Sequence, residues 1–119
     1  MEATGQIAIV DLETTGPHLD QGDAIIQIGA VIIQKGEIIH EYDMLINPGR
    51  EIPSHITQLT GISQDMVASA PCLDQVVKLW HQRLKDCIFV AHNIDFDLRI
   101  LKQVFKSYDL EFNPLATVS

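Results

Sequence analysis

Residues 7–16 read IAIVDLETTG: four apolar residues run straight into two carboxylates separated by one leucine. A strand turns successive side chains to opposite faces. Ile7 and Ile9 therefore share a face with Asp11 and Glu13, and Ala8 and Val10 lie on the other. Apolar residues at both odd and even positions predict a central strand from about Gln6 to Asp11, covered on both sides. Two like charges held close together repel in a low-dielectric setting, and one keeps a proton unless a cation neutralises both. The plainer alternative is a strand that stops at Val10, leaving both acids as solvated loop residues.

A third acid bears on that choice. The spacing near the end of the chain predicts a helix from about Ile94 to Tyr108. At 100° per residue, Ile94, Leu98, Leu101, Val104, Phe105 and Tyr108 fall within a stripe of about 120°. Asp97 lies inside this stripe and Asp95 points off it. Arg99, Lys102 and Lys106 project elsewhere, so no cation on the same helix pairs with Asp97. A lone carboxylate on a buried face costs several kcal/mol unless it is paired or ligated. A cation shared with Asp11 and Glu13 would meet that need; a capping role at a frayed helix start is the alternative.

The remaining pattern supplies a frame. The loop TTGPHLDQGD is rich in turn formers. Ile25–Gln34 and Glu37–Ile46 read as strands joined at QKGE, with Gly36 at positive φ, which gives an antiparallel meander. Short helices are expected at Ser54–Leu59 and Ser63–Ala68, punctuated by Gly61. A longer helix runs from Pro71 to about Lys85 with Leu73, Val76, Val77, Leu79, Trp80 and Leu84 on its apolar positions. Cys87–Ala91 is a short buried strand. The expected class is α/β, a mixed sheet with helices packed on it. The ending EFNPLATVS reads as the entry to another element, so residues 1–119 are expected to be the N-terminal part of a single domain.

Composition narrows the partners. Sixteen acidic residues against eight basic ones give a formal net charge of −8, which argues against gripping phosphate backbones by charge alone. An acidic chain can still handle nucleic acid if its carboxylates hold cations. Carboxylate oxygens without Cys or His suit hard ions, Mg²⁺ or Mn²⁺ rather than Zn²⁺. Two such ions can activate a water and stabilise the leaving oxygen of a displacement at phosphorus. Cys72 and Cys87 show neither metal spacing nor a disulfide framework. There is no signal peptide pattern, and no apolar run approaches the ~20 residues of a membrane helix. A soluble, cytoplasmic protein with no membrane partner is expected.

VDLETTG at residues 10–16 and VAHNIDFDLRIL at residues 90–101 resemble the first two motifs of the DEDD 3′–5′ exonucleases, histidine subgroup. LTGIS at residues 59–63 is similar to the family's segment beside the substrate 3′ terminus. The form of these motifs resembles the N-terminal exonuclease module of bacterial DinG-type helicases, with the exonuclease of replicative polymerases a close second. The resemblance implies an RNase H-like fold whose meander is extended by parallel strands. It implies two Mg²⁺ or Mn²⁺ ions and hydrolysis of single-stranded nucleic acid from its 3′ end to nucleoside 5′-monophosphates. DNA or RNA stays open at this point, as does a helicase or polymerase domain in the same full-length chain. Asp11, Glu13 and Asp97 would be the catalytic metal ligands. Leu12, Thr14, Thr15, Gly61, Ile62, His92 and Asn93 would contact or orient the substrate, with Ile62 wedged near the last base.

The family's third motif is a histidine five residues before a fourth aspartate. His18 with Asp23, His81 with Asp86 and His92 with Asp97 have that spacing, but in the wrong elements, and structural roles are expected for all three pairs. The strand expected at NPLATVS carries Ala116 before Thr117 where the family often has Asp-Thr. A non-catalytic binding module of the same fold is the alternative function.

Overall fold

The computed structural model describes residues 5–119. Strand β1 (Ile7–Thr14) pairs antiparallel with β2 (Ile25–Gln34), which pairs antiparallel with β3 (Glu37–Leu45). The meander turns at Lys35 and Gly36, both at positive φ (53° and 78°), the backbone that a tight hairpin with right-twisting strands requires. On the other side of β1 lie two short parallel strands, β4 (Ile88–Val90) and β5 (Ala116–Val118). The order β3-β2-β1-β4-β5 puts β1 at the centre of the sheet. Helices α1 (Ser54–Thr60) and α2 (Gln64–Val67) follow the meander; α3 (Leu73–Leu84) leads into β4, and α4 (Ile94–Ser107) joins β4 to β5. This is the mixed α/β sheet expected. No helix of the described residues is long and apolar enough to cross a membrane.

The crossovers through α3 and α4 both step toward β5, and right-handed crossovers in one direction stack their helices on one face of a sheet. That face holds the core. Ala8, Val10 and Leu12 of β1 pack with Val77, Trp80 and Leu84 of α3 and with Ile100, Leu101, Val104 and Phe105 of α4. The opposite face of β1 is not sealed among the described residues: Ile9 is 43% exposed. The expectation that both faces of this strand are covered is therefore corrected. Sequence reports only that Ile7 and Ile9 are apolar, whereas the direction of the crossovers decides which face receives helices. A smaller cluster of Ile26, Ile52, Ile62 and Val67 seats α1 and α2 against the meander.

Two details of the helices also differ from expectation. In α4 the buried stripe is Asp97, Ile100, Leu101, Val104 and Phe105. Ile100 replaces Tyr108, which is 38% exposed beyond the last turn. In α3, Leu79 is exposed, and the helix starts after Cys72, whose amide donates to the Gln75 side chain at 2.9 Å. Both cysteines are free; burial pushes the Cys87 thiol up to about 11.

Phe89 is fully buried on β4 and meets Phe112 edge-on at 5.8 Å. Replacing a buried aromatic by Ala removes its contacts and leaves a cavity. Phe89→Ala should lower the unfolding free energy by about 3–5 kcal/mol in urea titrations. A loss below about 1 kcal/mol would mean that β4 is not central to the core.

Candidate active site

β1 does not stop at Val10. It continues through Thr14, so Asp11 and Glu13 are strand residues on one face, opposite Gly29 and Gln27 of β2. Buried Val10, Leu12 and Thr14 alternate with them and lock the register, because a slip of one residue would bury both acids. Gly29 pairs with Asp11, and both line a groove of about 390 Å³ that also reaches Glu41 and Asp43. The Glu13 carboxyl is raised above its usual range, first by burial and then by the charge of Asp11.

Asp97 approaches from α4. It is 4% exposed. β4 pairs with β1 only as far as Ile9, so the amides further along that edge of β1 have no strand to bond. The Asp97 carboxylate accepts a hydrogen bond from the Leu12 amide. Asn93, not Asp97, occupies the N-cap position, which removes the capping alternative. Burial, followed by the Asp11 charge, pushes the Asp97 carboxyl up to about 6; Glu13 adds to the rise, while the Leu12 amide and His92 oppose it. Three carboxylates thus share one electrostatic neighbourhood at the end of β1. The described ion pair, Arg50 with Asp23 at 3.3 Å, involves none of them.

The donor chemistry fits a hard divalent cation: oxygen ligands, mutual repulsion and a buried carboxyl that is costly to ionise without a counter-charge. Among the described residues, however, no group of three or more His, Cys, Asp and Glu side chains stands as a ready metal cage.

The other expected contacts divide. Leu12 and Thr14 line an open recess of about 270 Å³ together with Glu13, Gly16, Leu59 and Phe96. Thr15 is committed to the fold: its amide donates to the Ala24 carbonyl at 2.8 Å and its hydroxyl to Asp23 at 3.0 Å. His92 and Asn93 are exposed before α4. Gly61 caps α1 at φ 78°, its amide bonded to the Thr57 carbonyl. Ile62 is 3% exposed in the satellite core, so its side chain is turned away from any base; the exposed apolar residue of LTGIS is Leu59, at 80%. Ile56 and Thr60, four apart on α1, face the recess with Leu59 between them, a helical spacing that could have singled out Leu59. Phe96, next to Asp97, also lines this recess.

Two of the His-x4-Asp pairs have local structural partners. The His18 amide donates to Asp23 at 2.9 Å. That bond, ahead of Thr15 and Arg50, outweighs burial and holds the Asp23 carboxyl below its usual range. His81 bonds the Glu111 carbonyl at 2.6 Å and meets Phe105 edge-on.

A five-stranded sheet of this order, with carboxylates gathered at the end of its central strand, defines an RNase H-like nuclease fold. A family model described as Exonuclease (RNase_T) matches residues 8–116, and the chain belongs to that family. It is 46% identical over 107 residues to the 3′-5′ exonuclease DinG of Staphylococcus aureus strain USA300, covering 90% of this chain and 12% of that protein. Exonuclease X, solved with 5′ overhanging duplex DNA, is 32% identical with a TM-score of 0.64 over 80% of this chain and 53% of its own. The nuclease domain of 3′hExo, a DEDDh family member bound to rAMP, shares the fold at a TM-score of 0.71 and 21% identity over 98% of this chain and 66% of its own. Divalent metal ions are the general cofactor of such exonucleases.

A carboxyl whose pKa is higher in the folded than in the unfolded state binds its proton more tightly when folded. Its stabilising effect is full below about pH 4 and is lost as pH rises through about 6. In EDTA, thermal stability should therefore fall over that window. Asp97→Asn should flatten the fall and melt higher than the parent at pH 7; a variant that melts lower at every pH contradicts the placement of this carboxylate.

Proposed function

We propose that this chain is the nuclease module of a longer protein of the DinG kind, removing nucleotides from the 3′ end of single-stranded DNA and releasing nucleoside 5′-monophosphates. The observation that carries the proposal is the buried Asp97 carboxylate beside Asp11 and Glu13, pushed up by burial and by their charge. Asp11 and Glu13 would hold Mg²⁺ or Mn²⁺ from the strand, and Asp97 from the helix. When bound, two such ions supply charge neutralisation, a more acidic water and a stabilised leaving oxygen. Asp97 keeps its place through the Leu12 amide, and Leu12 in turn lies at the floor of the recess. The recess offers apolar walls at Leu59 and Phe96 with Glu13 at its edge, a shape suited to the last nucleoside with its phosphate directed at the acids. The 3′-5′ exonuclease activity of the Staphylococcus relative supports the direction of hydrolysis, and the DNA in the exonuclease X structure supports DNA as substrate.

In the full-length protein, Asp11→Ala should abolish release of mononucleotides from a 3′-labelled oligodeoxynucleotide in Mn²⁺. Undiminished release rejects the proposal. Mn²⁺ should also raise the melting midpoint of the parent, because an ion that binds only the folded state must stabilise it; Asp11→Ala should lose that rise.

Leu59 offers a test of the substrate recess. So exposed a side chain adds little to folding, so Leu59→Ala should change stability by less than about 0.5 kcal/mol. It should nonetheless raise KM for the oligonucleotide roughly tenfold, as covering a leucine side chain against a base removes apolar surface from water, worth about 1.5 kcal/mol. An unchanged KM would place the last base elsewhere.

A further inference from the structure

The loop between β1 and β2 is held from several directions, and one carboxylate is common to most of the bonds. Asp23 Oδ1 accepts from Thr15 Oγ1 at 3.0 Å and from Arg50 Nη1 at 3.3 Å, and Oδ2 accepts from the His18 amide at 2.9 Å. Thr15 Oγ1 in turn accepts from the Ala24 amide at 3.0 Å. Gly16 lies so close that a Cβ there would run into the Asp23 carboxyl. The requirement for glycine at the end of ETTG is thus one of space.

Arg50 leads from the loop to the second wall of the recess. Its carbonyl accepts from Gln64 Nε2 at 3.1 Å, and Gln64 Oε1 accepts from the Ile52 amide at 2.8 Å. The backbone at residues 50–52 is thereby fastened to α2, and Ile52 and Ile62 share one apolar cluster that Ile56 of α1 packs against. The recess lies between these same two bodies, with Gly16 and Pro17 on the loop side and Ile56, Leu59 and Thr60 on the α1 side. A third tie comes from α4: Arg99 Nη1 donates to the Pro17 carbonyl at 3.3 Å while its guanidinium stands 5.7 Å over the Phe96 ring.

We propose that Asp23 is a positioning residue for the 3′ nucleotide: through Thr15, His18 and Arg50 it sets the separation between the loop wall and the α1 wall of the recess. The proposal rests on the exonuclease reading of that recess. Asp23 touches neither substrate nor the metal-ligand carboxylates; it acts through the walls. The bonds to Thr15 and His18 are its firm side. The Arg50 contact, whose two side chains are 37% and 16% exposed, is its softer side, because partly exposed ion pairs are weakened by solvent. Losing the carboxylate should loosen substrate binding more than it slows chemistry.

The test is steady-state hydrolysis of an oligodeoxynucleotide by the full-length protein in saturating Mn²⁺, with Kd measured by anisotropy in the same Mn²⁺ buffer for a fluorescein-labelled oligonucleotide whose 3′ linkages resist hydrolysis. Asp23→Ala should raise both KM and Kd about tenfold, the scale of a lost hydrogen bond to a charged group, with kcat changed less than about twofold and the Mn²⁺-induced rise in melting midpoint retained. Arg50→Ala should give a smaller rise, Arg50→Lys should recover part of it, and the double variant should be no worse than Asp23→Ala alone. If Asp23→Ala does not fold, Gly16→Ala, which crowds the same carboxyl, should raise KM and Kd in the same way. Unchanged KM and Kd in whichever variant folds, or an additive double variant, overturns the proposal. Asp11→Asn separates the two readings: activity surviving it removes the exonuclease assignment, whereas activity lost there with Asp23→Ala indistinguishable from the parent removes only the positioning role.

Discussion

The Asp97 carboxylate against the Leu12 amide is the contact on which the site is built. It exists because β4 is short. Past Ile9 the edge of β1 has no strand partner, and an unmet backbone donor in the interior must find an acceptor. A carboxylate meets that need and in the same place raises the local negative charge. Burial and repulsion from Asp11 and Glu13 then push Asp97 up to about 6. Near neutrality that carboxyl has given up its proton, so this end of the sheet lowers its energy by taking up a cation. A site that favours cation binding in this way couples ion occupancy to the order of β1 and α4, the two elements that must be aligned for chemistry.

The parts of this arrangement that follow a short period were legible in the amino-acid sequence. A period of two put Asp11 and Glu13 on one face of β1, and a period of 3.6 put Asp97 on the buried stripe of α4. What was not legible depends on long-range choices. Whether the Ile9 face is covered depends on the direction of two crossovers, not on Ile9. Ile62 and Leu59 are both apolar and three residues apart; only the docking of α1 and α2 on Ile26 sends the first inward and the second to the surface. Thr15 sits in the run that resembles the family's first motif, yet its amide and hydroxyl are consumed by Ala24 and Asp23. A motif read as chemistry thus divides into residues that face the site and residues that hold it.

That division places two opposed demands along VDLETTG. Val10, Leu12 and Thr14 are buried, Asp11 and Glu13 face the opposite side, Thr15 bonds across the loop and Gly16 leaves room for the Asp23 carboxyl. Alternate residues answer to two different demands, core packing and charge. A substitution on either side shifts the other, because a strand has no slack between neighbouring residues. The irregularity in the β1–β2 register between Glu13 and Thr14 falls where these demands separate, and a bulge is the usual means of re-aiming side chains at the end of a strand.

The acidic balance of the chain is consistent with this design. This stretch of chain, with a formal charge of −8, repels a polyanion at long range and does not itself supply affinity spread along many phosphates. Attraction has to be local, at the place where cations can sit between carboxylates and phosphate. On the proposed exonuclease reading, such a site favours the end of a strand over its middle: a terminal nucleotide would enter the recess walled by Leu59 and Phe96, whereas internal nucleotides would have to follow a surface of like charge. In this reading, preference for an end arises from confining the attractive charge to one edge of the sheet, and the exposed apolar wall beside it supplies the binding that the rest of the surface withholds.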